Sequence, residues 1–446
     1  MSNPAISITG TGFVGLCTGV GFASKGYQVT TSTHDPEKAA LINSGVPPFY
    51  EPGLEKLLQK TVRDGRLKCV VDQEEAVLST DLTFVAVGTP SLPHGGIDLK
   101  YVERAAHEIG EALGRKDSYH LVIMKSTVVP ETTEKVLKPT LERESQKQCG
   151  IRFGLCMNPE FLREGSALHD TFYPDRVIIG EVDKESGETL ERFYRDFYAE
   201  KMPPAIRTNL ATAELIKYAN NSFLATKISF INEIANICNK IPEADVKTVA
   251  EGIGLDRRIN KRFLNAGLGY GGSCLPKDVD ALVSHSKKCL RYEPQLLSAV
   301  VGVNSNQIDR AIQLARKTVG DLKGKRIAIL GLAFKPETDD MREAVSIRII
   351  KKLLSEGSEV VAYDPVAVSN ARSLFKEAIQ YADSAIECLK GADCCILTTE
   401  WEEFKKLKPK DFVQNMNNPA LVDGRRIYNH EEFRKEMGFA AIGLGD

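Results

Sequence analysis

Little in this sequence points toward nucleic acid, a metal or a membrane. Its 58 basic side chains face 60 acidic ones, a formal net charge of -2, so no basic excess exists to follow a phosphate backbone. No apolar run approaches the roughly 18 residues that a membrane span needs. The opening residues, Met1 to Ile8, enter a strand pattern at once, without the charged and apolar regions of a signal peptide. Seven histidines (His34, His94, His107, His120, His169, His285, His430) show no His-Glu-x-x-His or comparable ligand spacing, so a metal site has no support. The 10 cysteines include no Cys-x-x-Cys pair, and adjacent Cys394 and Cys395 cannot easily bridge each other, so most are expected to be reduced core residues. These absences point to a cytoplasmic protein with no nucleic-acid, membrane or metal partner.

What is present begins with size. A chain of 446 residues with 42% hydrophobic content is expected to form two or three domains with ample core. Ala5 to Thr9 reads as a strand, Gly10, Gly12 and Gly15 form G-x-G-x-x-G around Phe13 and Val14, a helix runs through Ala23, and Tyr27 to Thr31 reads as the next strand. That is a β-α-β dinucleotide unit, whose glycines permit a tight turn, close approach of a pyrophosphate and close helix packing. Leu82 to Val87, Leu121 to Met124 and Val177 to Ile179 continue as buried strands of a mostly parallel sheet.

From Asn209 to about Asn239 there is no Gly or Pro, and Leu215, Tyr218, Phe223, Ile228, Ile231 and Ile234 recur at helical spacing, which predicts one long helix. Lys217 and Asn221, four residues apart, share one of its faces. After a polar linker at Asp321 to Gly324, strands are expected at Arg326 to Leu330, Glu359 to Tyr363 and Cys394 to Leu397, with a helix over Ala344 to Glu356. This second β-α-β series has no G-x-G-x-x-G at its first turn, so it is expected to cover a substrate, not a second dinucleotide, with the active cleft between the two sheets. The fold class is therefore α/β: two Rossmann-like, doubly wound domains, 1–208 and 321–446, joined by a central helical domain, 209–320.

Chemistry concentrates in Gly267 to Asp278, Gly-Leu-Gly-Tyr-Gly-Gly-Ser-Cys-Leu-Pro-Lys-Asp. The glycines allow backbone to approach a ligand closely, and Pro276 suits the first turn of a helix. A cysteine at such a helix N-terminus, with Lys277 beside it, has its pKa lowered toward thiolate, and Asp278 shares its face. A dinucleotide fold with a poised thiol suggests more than alcohol oxidation. Taking an alcohol to an acid removes two hydrides, and the aldehyde can donate the second only after a nucleophile has added to it.

These pieces in this order resemble the UDP-glucose/GDP-mannose dehydrogenase family over nearly the whole chain. They are the Gly10 to Gly15 turn, Val87-Gly-Thr-Pro90, Ser126-Thr127, Asn158 to Gly165, Lys217 with Asn221, the cysteine loop, Gly331 to Pro336, Thr338 to Glu343, and Asp423-Gly-Arg425. The cysteine loop looks like that of the UDP-glucose branch. The resemblance implies oxidation of UDP-glucose to UDP-glucuronate with NAD, through a thiohemiacetal and a thioester on Cys274. It implies that Lys217 and Asn221 hold the oxyanion, that Asp278 orients Lys217 or a water, and that Thr127 and Glu160 position the hydrolytic water, with Glu160 its base. For the sugar nucleotide it points to Glu160, Phe161, Leu162, Glu164, Lys217, Asn221, Phe263, Leu264, Asn265, Tyr270 and Gly271, and, from the C-terminal domain, to Phe334, Lys335 and Arg425. Arg258 resembles an arginine that reaches the substrate of the neighbouring subunit, which implies a homodimer or larger homo-oligomer. Gly88, Thr89, Pro90, Thr127, Glu164, Lys277 and Arg342 resemble cofactor contacts.

One position departs from the pattern. The family's ribose-binding acid falls at Thr33, whereas Asp35 sits near the roughly 20-residue offset of the general fingerprint. A carboxylate there would select NAD by repelling a 2'-phosphate. Without it, NAD is expected with weaker discrimination against NADP, which His34 and Lys38 could welcome. Pro36 makes a turn or helix start at Asp35 the expectation, which would carry that acid away from the ribose. Two other readings stay open: a dehydrogenase of GDP-mannose or a UDP-N-acetylhexosamine, and a non-catalytic nucleotide-binding protein on the same fold.

Overall fold

Strand β1 (Ile6–Thr9) is buried along its whole length, as the apolar opening requires of a strand covered on both faces. The computed structural model describes residues 3–445. Around β1 the other strands are β2 (Val29–Ser32), β3 (Leu67–Val70), β4 (Leu82–Val85), β5 (Leu121–Met124), β6 (Gly154–Met157), β7 (Val177–Glu181) and β8 (Ala205–Asn209). They make one eight-stranded sheet of order β3-β2-β1-β4-β5-β6-β7-β8. Every neighbouring pair is parallel except β6 with β7. The strand order reverses between β1 and β4, the place where doubly wound sheets open a ligand crevice at their carboxyl ends.

The G-x-G-x-x-G turn joins β1 to helix α1 (Phe13–Ser24). Each glycine has its own reason. Gly10 has φ +103°, and a Cβ there would stand 2.5 Å from the Ala86 carbonyl; a Cβ on Gly15 would run into the Gly10 carbonyl; a Cβ on Gly12 would meet nothing within 4 Å. The open position at the helix start is the one a pyrophosphate needs. Behind the turn, Phe22 stacks edge-on against Phe193 and Phe197, each with ring centroids 5.0 Å away, closing that face of the sheet with aromatic surface.

A second sheet holds β9 (Arg326–Leu330), β10 (Glu359–Tyr363), β11 (Gln380–Tyr381), β12 (Cys394–Leu397), β13 (Ala420–Asp423) and β14 (Gly438–Ala441), in the order β11-β10-β9-β12-β13-β14. All of its pairs are parallel. Its first turn is occupied by protein. Asp364, 1% exposed at the end of β10, accepts from the Leu332, Ala333, Val366 and Ala367 amides and from Trp401 Nε1 at 2.7–3.1 Å. The acid that a dinucleotide fold offers to ribose is here spent on holding the turn, which agrees with the missing glycine pattern.

Between the sheets in sequence lies the Leu210–Cys238 helix, close to the expected span. Tyr218 and Ile231 are fully buried, but Leu215 (46% exposed) and Phe223 (64%) are not, so the apolar periodicity merges two faces of the helix. Its later turns pack with the Gln295–Val319 helix in one core with β9, β12 and β13. The chain divides into two compact units, the first ending at Asn220 and the second beginning at Asn221.

Candidate active site

In the first unit a cleft of about 330 Å³ opens above Gly10 to Gly12, at the point where the strand order reverses. Gln73 braces its floor, donating to Thr9 Oγ1 at 2.8 Å and accepting from Ser32 Oγ. Thr11 Oγ1 is buried there with no hydrogen-bond partner among the described residues. A buried hydroxyl without a partner beside an open helix start fits a nucleotide cofactor, which would supply the missing partner. Val87 and Gly88 after β4 line the same cleft. Thr89 Oγ1 donates to the Thr127 carbonyl at 3.0 Å, tying the Gly88-Thr89-Pro90 loop to the loop after β5.

Thr33, His34 and Lys38 line the cleft at the end of β2. Asp35 is placed differently. It is the N-cap of helix α2 (Pro36–Asn43), its carboxylate accepting from the Lys38 amide at 3.1 Å. Asp35 is thus a helix cap, not an acid at the ribose end, because Pro36 starts a helix and ends the extended run that would have aimed it inward.

Deeper in the same unit, Lys217 Nζ donates to Glu160 Oε1 at 3.0 Å, with Lys217 3% and Glu160 6% exposed. Glu160 Oε2 accepts from the Leu162 amide at 2.5 Å, and Lys217 Nζ sits 5.2 Å over the Phe161 ring. The Glu160 to Gly165 loop is fixed from outside by Glu51, which accepts from the Gly165 and Ala167 amides, each at 2.7 Å. Glu164 is half-buried on that loop. Sequence reasoning passed over Lys125, which stands next in chain to the Ser126-Thr127 pair. Its Nζ donates to Asn158 Oδ1 at 2.9 Å, and burial pushes its pKa down to about 8, with Glu160 opposing and Lys217 reinforcing the shift. Nothing in a lone Lys before Ser-Thr signals burial; only the strand position at the end of β5 hints at it.

In the second unit, Cys274 is exposed and is the N-cap of the Leu275–Lys288 helix, with Pro276 in its first turn. Asp278, 1% exposed, accepts from Asn221 Nδ2 at 2.7 Å and from Lys277 Nζ at 2.5 Å. Within this unit the aspartate therefore orients Asn221, and Lys277 neutralises it. The glycines before the cysteine differ from expectation in their reason. A Cβ on Gly272 (φ +85°) would lie 2.7 Å from the Phe334 ring, and one on Gly271 would meet the Glu343 carbonyl, so they admit other protein segments. Tyr270 is held through its backbone by the Asn304 side chain at 2.8 and 3.1 Å, and Gly267 by Asn232 and Gln307 at 2.8 and 2.7 Å.

Other expected residues gather near this loop or stand apart from it. Arg425 Nε donates to the Thr398 carbonyl at 2.6 Å and Nη1 reaches the Gly269 carbonyl at 3.4 Å, with Asp423 fixing the turn through the Arg425 and Tyr428 amides. Lys335 Nζ lies 5.5 Å over the Phe334 ring. Leu264 is buried, while Phe263 and Asn265 beside it are exposed. Arg342 folds back on Asp340 at 2.7 Å, and exposed Arg258 on Asp256 at 2.6 Å.

Three family models cover the chain: the NAD binding domain of the UDP-glucose/GDP-mannose dehydrogenase family at residues 4–198, its central domain at 211–306 and its UDP binding domain at 328–430. The chain belongs to the UDP-glucose/GDP-mannose dehydrogenase family. Within that family it is 45% identical to a UDP-glucose 6-dehydrogenase of Haloferax volcanii over 96% of this chain and 98% of the relative. It is 41% identical to the UDP-glucose 6-dehydrogenase YwqF of Bacillus subtilis, over 96% and 94%. Among solved structures it is similar to a UDP-glucose dehydrogenase from Pyrobaculum islandicum (TM-score 0.92, 37% identity, 99% and 98% covered). A UDP-D-ManNAc dehydrogenase from Pyrococcus horikoshii is also similar (TM-score 0.87, 28% identity, 98% and 99% covered). The family makes the chain an NAD-dependent oxidoreductase, in accord with the glycine turn and its open helix start. No helix among the described residues is long and apolar enough to cross a membrane.

Proposed function

We propose that this chain oxidises UDP-glucose to UDP-glucuronate, with Cys274 as the nucleophile of the second oxidation. The observation that carries the reading is an exposed thiol at a helix N-terminus whose first turn holds the buried Asp278 to Asn221 hydrogen bond of 2.7 Å. Gly10, Gly12, Gly15 and the Gly88 to Pro90 loop would hold NAD, which would supply the hydride acceptor for both oxidations. Lys217 assists loss of the hydroxyl proton at carbon 6 and, with Asn221, stabilises negative charge on oxygen as the adducts form. The Cys274 thiolate adds to the aldehyde carbon to give a thiohemiacetal, whose oxidation leaves a thioester. Glu160 takes a proton from a water that Thr127 helps to position; hydroxide attacks the thioester carbonyl and the Cys274 thiolate leaves, releasing the carboxylate. Phe161, Leu162, Glu164, Phe263, Leu264, Asn265, Tyr270 and Gly271 frame the sugar and base, while Lys335, Arg425 and the Phe334 region receive the diphosphate.

The assembly is a homodimer or a larger homo-oligomer. Phe223, Phe230 and Ile237 follow one another at seven-residue steps on the long helix and are 64, 48 and 51% exposed. Such a stripe keeps to one helix face and leaves apolar side chains in water unless a second copy covers it. Arg258 is exposed enough to reach that copy. The reaction belongs to the cytoplasm, where ten thiols without a disulfide are at home.

Side-by-side assay of UDP-glucose, GDP-mannose and UDP-N-acetylmannosamine with NAD tests the reading. UDP-glucose is expected to give the highest kcat/KM. A higher value for either of the others moves the substrate, and no reduction of NAD with any of them leaves a binding protein.

A further inference from the structure

Cofactor choice in a doubly wound fold is set at the end of the second strand, where an acid accepts the adenosine ribose hydroxyls and repels a 2'-phosphate. Among the described residues that line this cleft, at this corner or elsewhere, there is no acid. Thr33, His34, Lys38 and Arg104 line it, the last from the Lys100–Arg115 helix. Asp35 and Glu108, the acids next to His34 in chain and in contact with it, are both engaged elsewhere. Asp35 caps α2. Glu108 lies behind the corner, accepting from Arg104 Nε at 2.9 Å and standing 3.3 Å from His34 Nε2.

Glu108 also fixes the geometry of the cations. With Arg104 Nη2 donating to His34 Nδ1 at 3.0 Å, the guanidinium plane is anchored on two edges, and its Nη1 has no partner among the described residues. Lys38 is half-buried, and its Nζ likewise makes no hydrogen bond or ion pair among the described residues. Two cations face the cleft against one compensating carboxylate, and Arg104 Nη1 and Lys38 Nζ are the donors left without a protein acceptor among the described residues. A pre-oriented guanidinium edge and an ammonium are the groups that bind a phosphate dianion.

We propose that Arg104 and Lys38, with the Thr33 hydroxyl, form a subsite for the 2'-phosphate of a dinucleotide, so that the enzyme takes NADP as well as NAD. The proposal rests on the nucleotide reading of this cleft. Arg104 is the specificity-determining residue, Glu108 and His34 its positioning residues.

The test is calorimetric titration of NAD and of NADP into the wild-type protein, Arg104→Gln and Thr33→Asp. For the wild type the two dissociation constants are expected within about tenfold of each other, because the phosphate meets two cations where the common fold offers a carboxylate. In Arg104→Gln, which loses one charged hydrogen-bonding partner, and in Thr33→Asp, which adds a carboxylate that repels the phosphate, the ratio of the NADP to the NAD constant is expected to rise by about tenfold or more. The NADP constant should also rise more steeply with added salt than the NAD constant. NAD binding with NADP more than a hundredfold weaker in the wild type, or an unchanged ratio in Arg104→Gln, overturns the subsite alone. If neither dinucleotide binds, the nucleotide reading of the cleft fails and the subsite with it.

Discussion

Lys217 and Glu160 form a buried ion pair, Nζ to Oε1 3.0 Å, on residues 57 apart in sequence. Removing one partner leaves the other charge buried and uncompensated, which typically costs about 3–5 kcal/mol of stability. Lys217→Ala is therefore expected both to lower the melting temperature and to reduce turnover on the order of 10²-fold or more, the usual effect of losing an oxyanion donor. Turnover within a few-fold of wild type reduces the lysine to scaffolding.

Asp278 and Asn221 make the corresponding statement for the second unit. Asp278→Asn keeps the shape but presents an amide where Asn221 Nδ2 and Lys277 Nζ both need an acceptor. Turnover is expected to fall about 10- to 100-fold with little change in KM, because the groups lost act on the developing charge and not on ground-state binding. A rise in KM at constant kcat assigns Asp278 to substrate binding instead.

Gly272→Ala tests whether the cysteine loop is shaped by protein or by ligand. The left-handed φ of +85° and a Cβ 2.7 Å from the Phe334 ring act together. Forcing a side chain into that backbone region costs about 1–2 kcal/mol before the clash is counted. The variant should be destabilised with no ligand present, and Gly272→Ala combined with Phe334→Ala should recover the steric part only relative to Phe334→Ala alone. A variant as stable as wild type, impaired only with substrate, returns the glycine to the role of ligand approach.

Sequence reading succeeded where one signal was both local and unopposed. The G-x-G-x-x-G turn declares β1 and α1, and β5, β9, β10 and β12 are apolar runs found at their expected residues. β3 (Leu67–Val70) went unread because exposed Lys68 interrupts a short apolar run at a sheet edge, and β14 (Gly438–Ala441) because Gly-Phe-Ala-Ala has no β-branched residue. At the site, glycine, proline and cysteine speak through their own backbone chemistry, so the helix start at Cys274 was legible. Lys125, Arg104, Glu51 and Asp364 act through partners far along the chain, and a lone charged residue in sequence looks like any solvated one. Asp35 shows the limit from the other side: its spacing suited a ribose contact, and the adjacent proline made it a cap.

Lys125 predicts a pH effect. Its pKa in the fold is about 8, below the ordinary lysine value, chiefly through burial. Between about 8 and 10.4 the unfolded chain holds the proton more tightly, so this group's contribution to stability rises with pH there; below about 8 its cost is fully present. In Lys125→Met that cost is gone, so the stability of the variant relative to wild type should be greatest at pH 7 and decline toward pH 10. A difference independent of pH between 7 and 10 means the lysine titrates normally.

The central claim is a four-electron oxidation relayed through the Cys274 thiol, and counting electrons tests it most directly. Reduced nicotinamide and UDP-glucuronate are measured in one reaction as UDP-glucose is consumed, with a carbonyl reagent present to trap free aldehyde. The account predicts two reduced nicotinamides per UDP-glucose, no trapped aldehyde, and loss of acid formation in Cys274→Ala. One reduced nicotinamide per UDP-glucose with aldehyde trapped, or acid formed by Cys274→Ala at the wild-type rate, contradicts it.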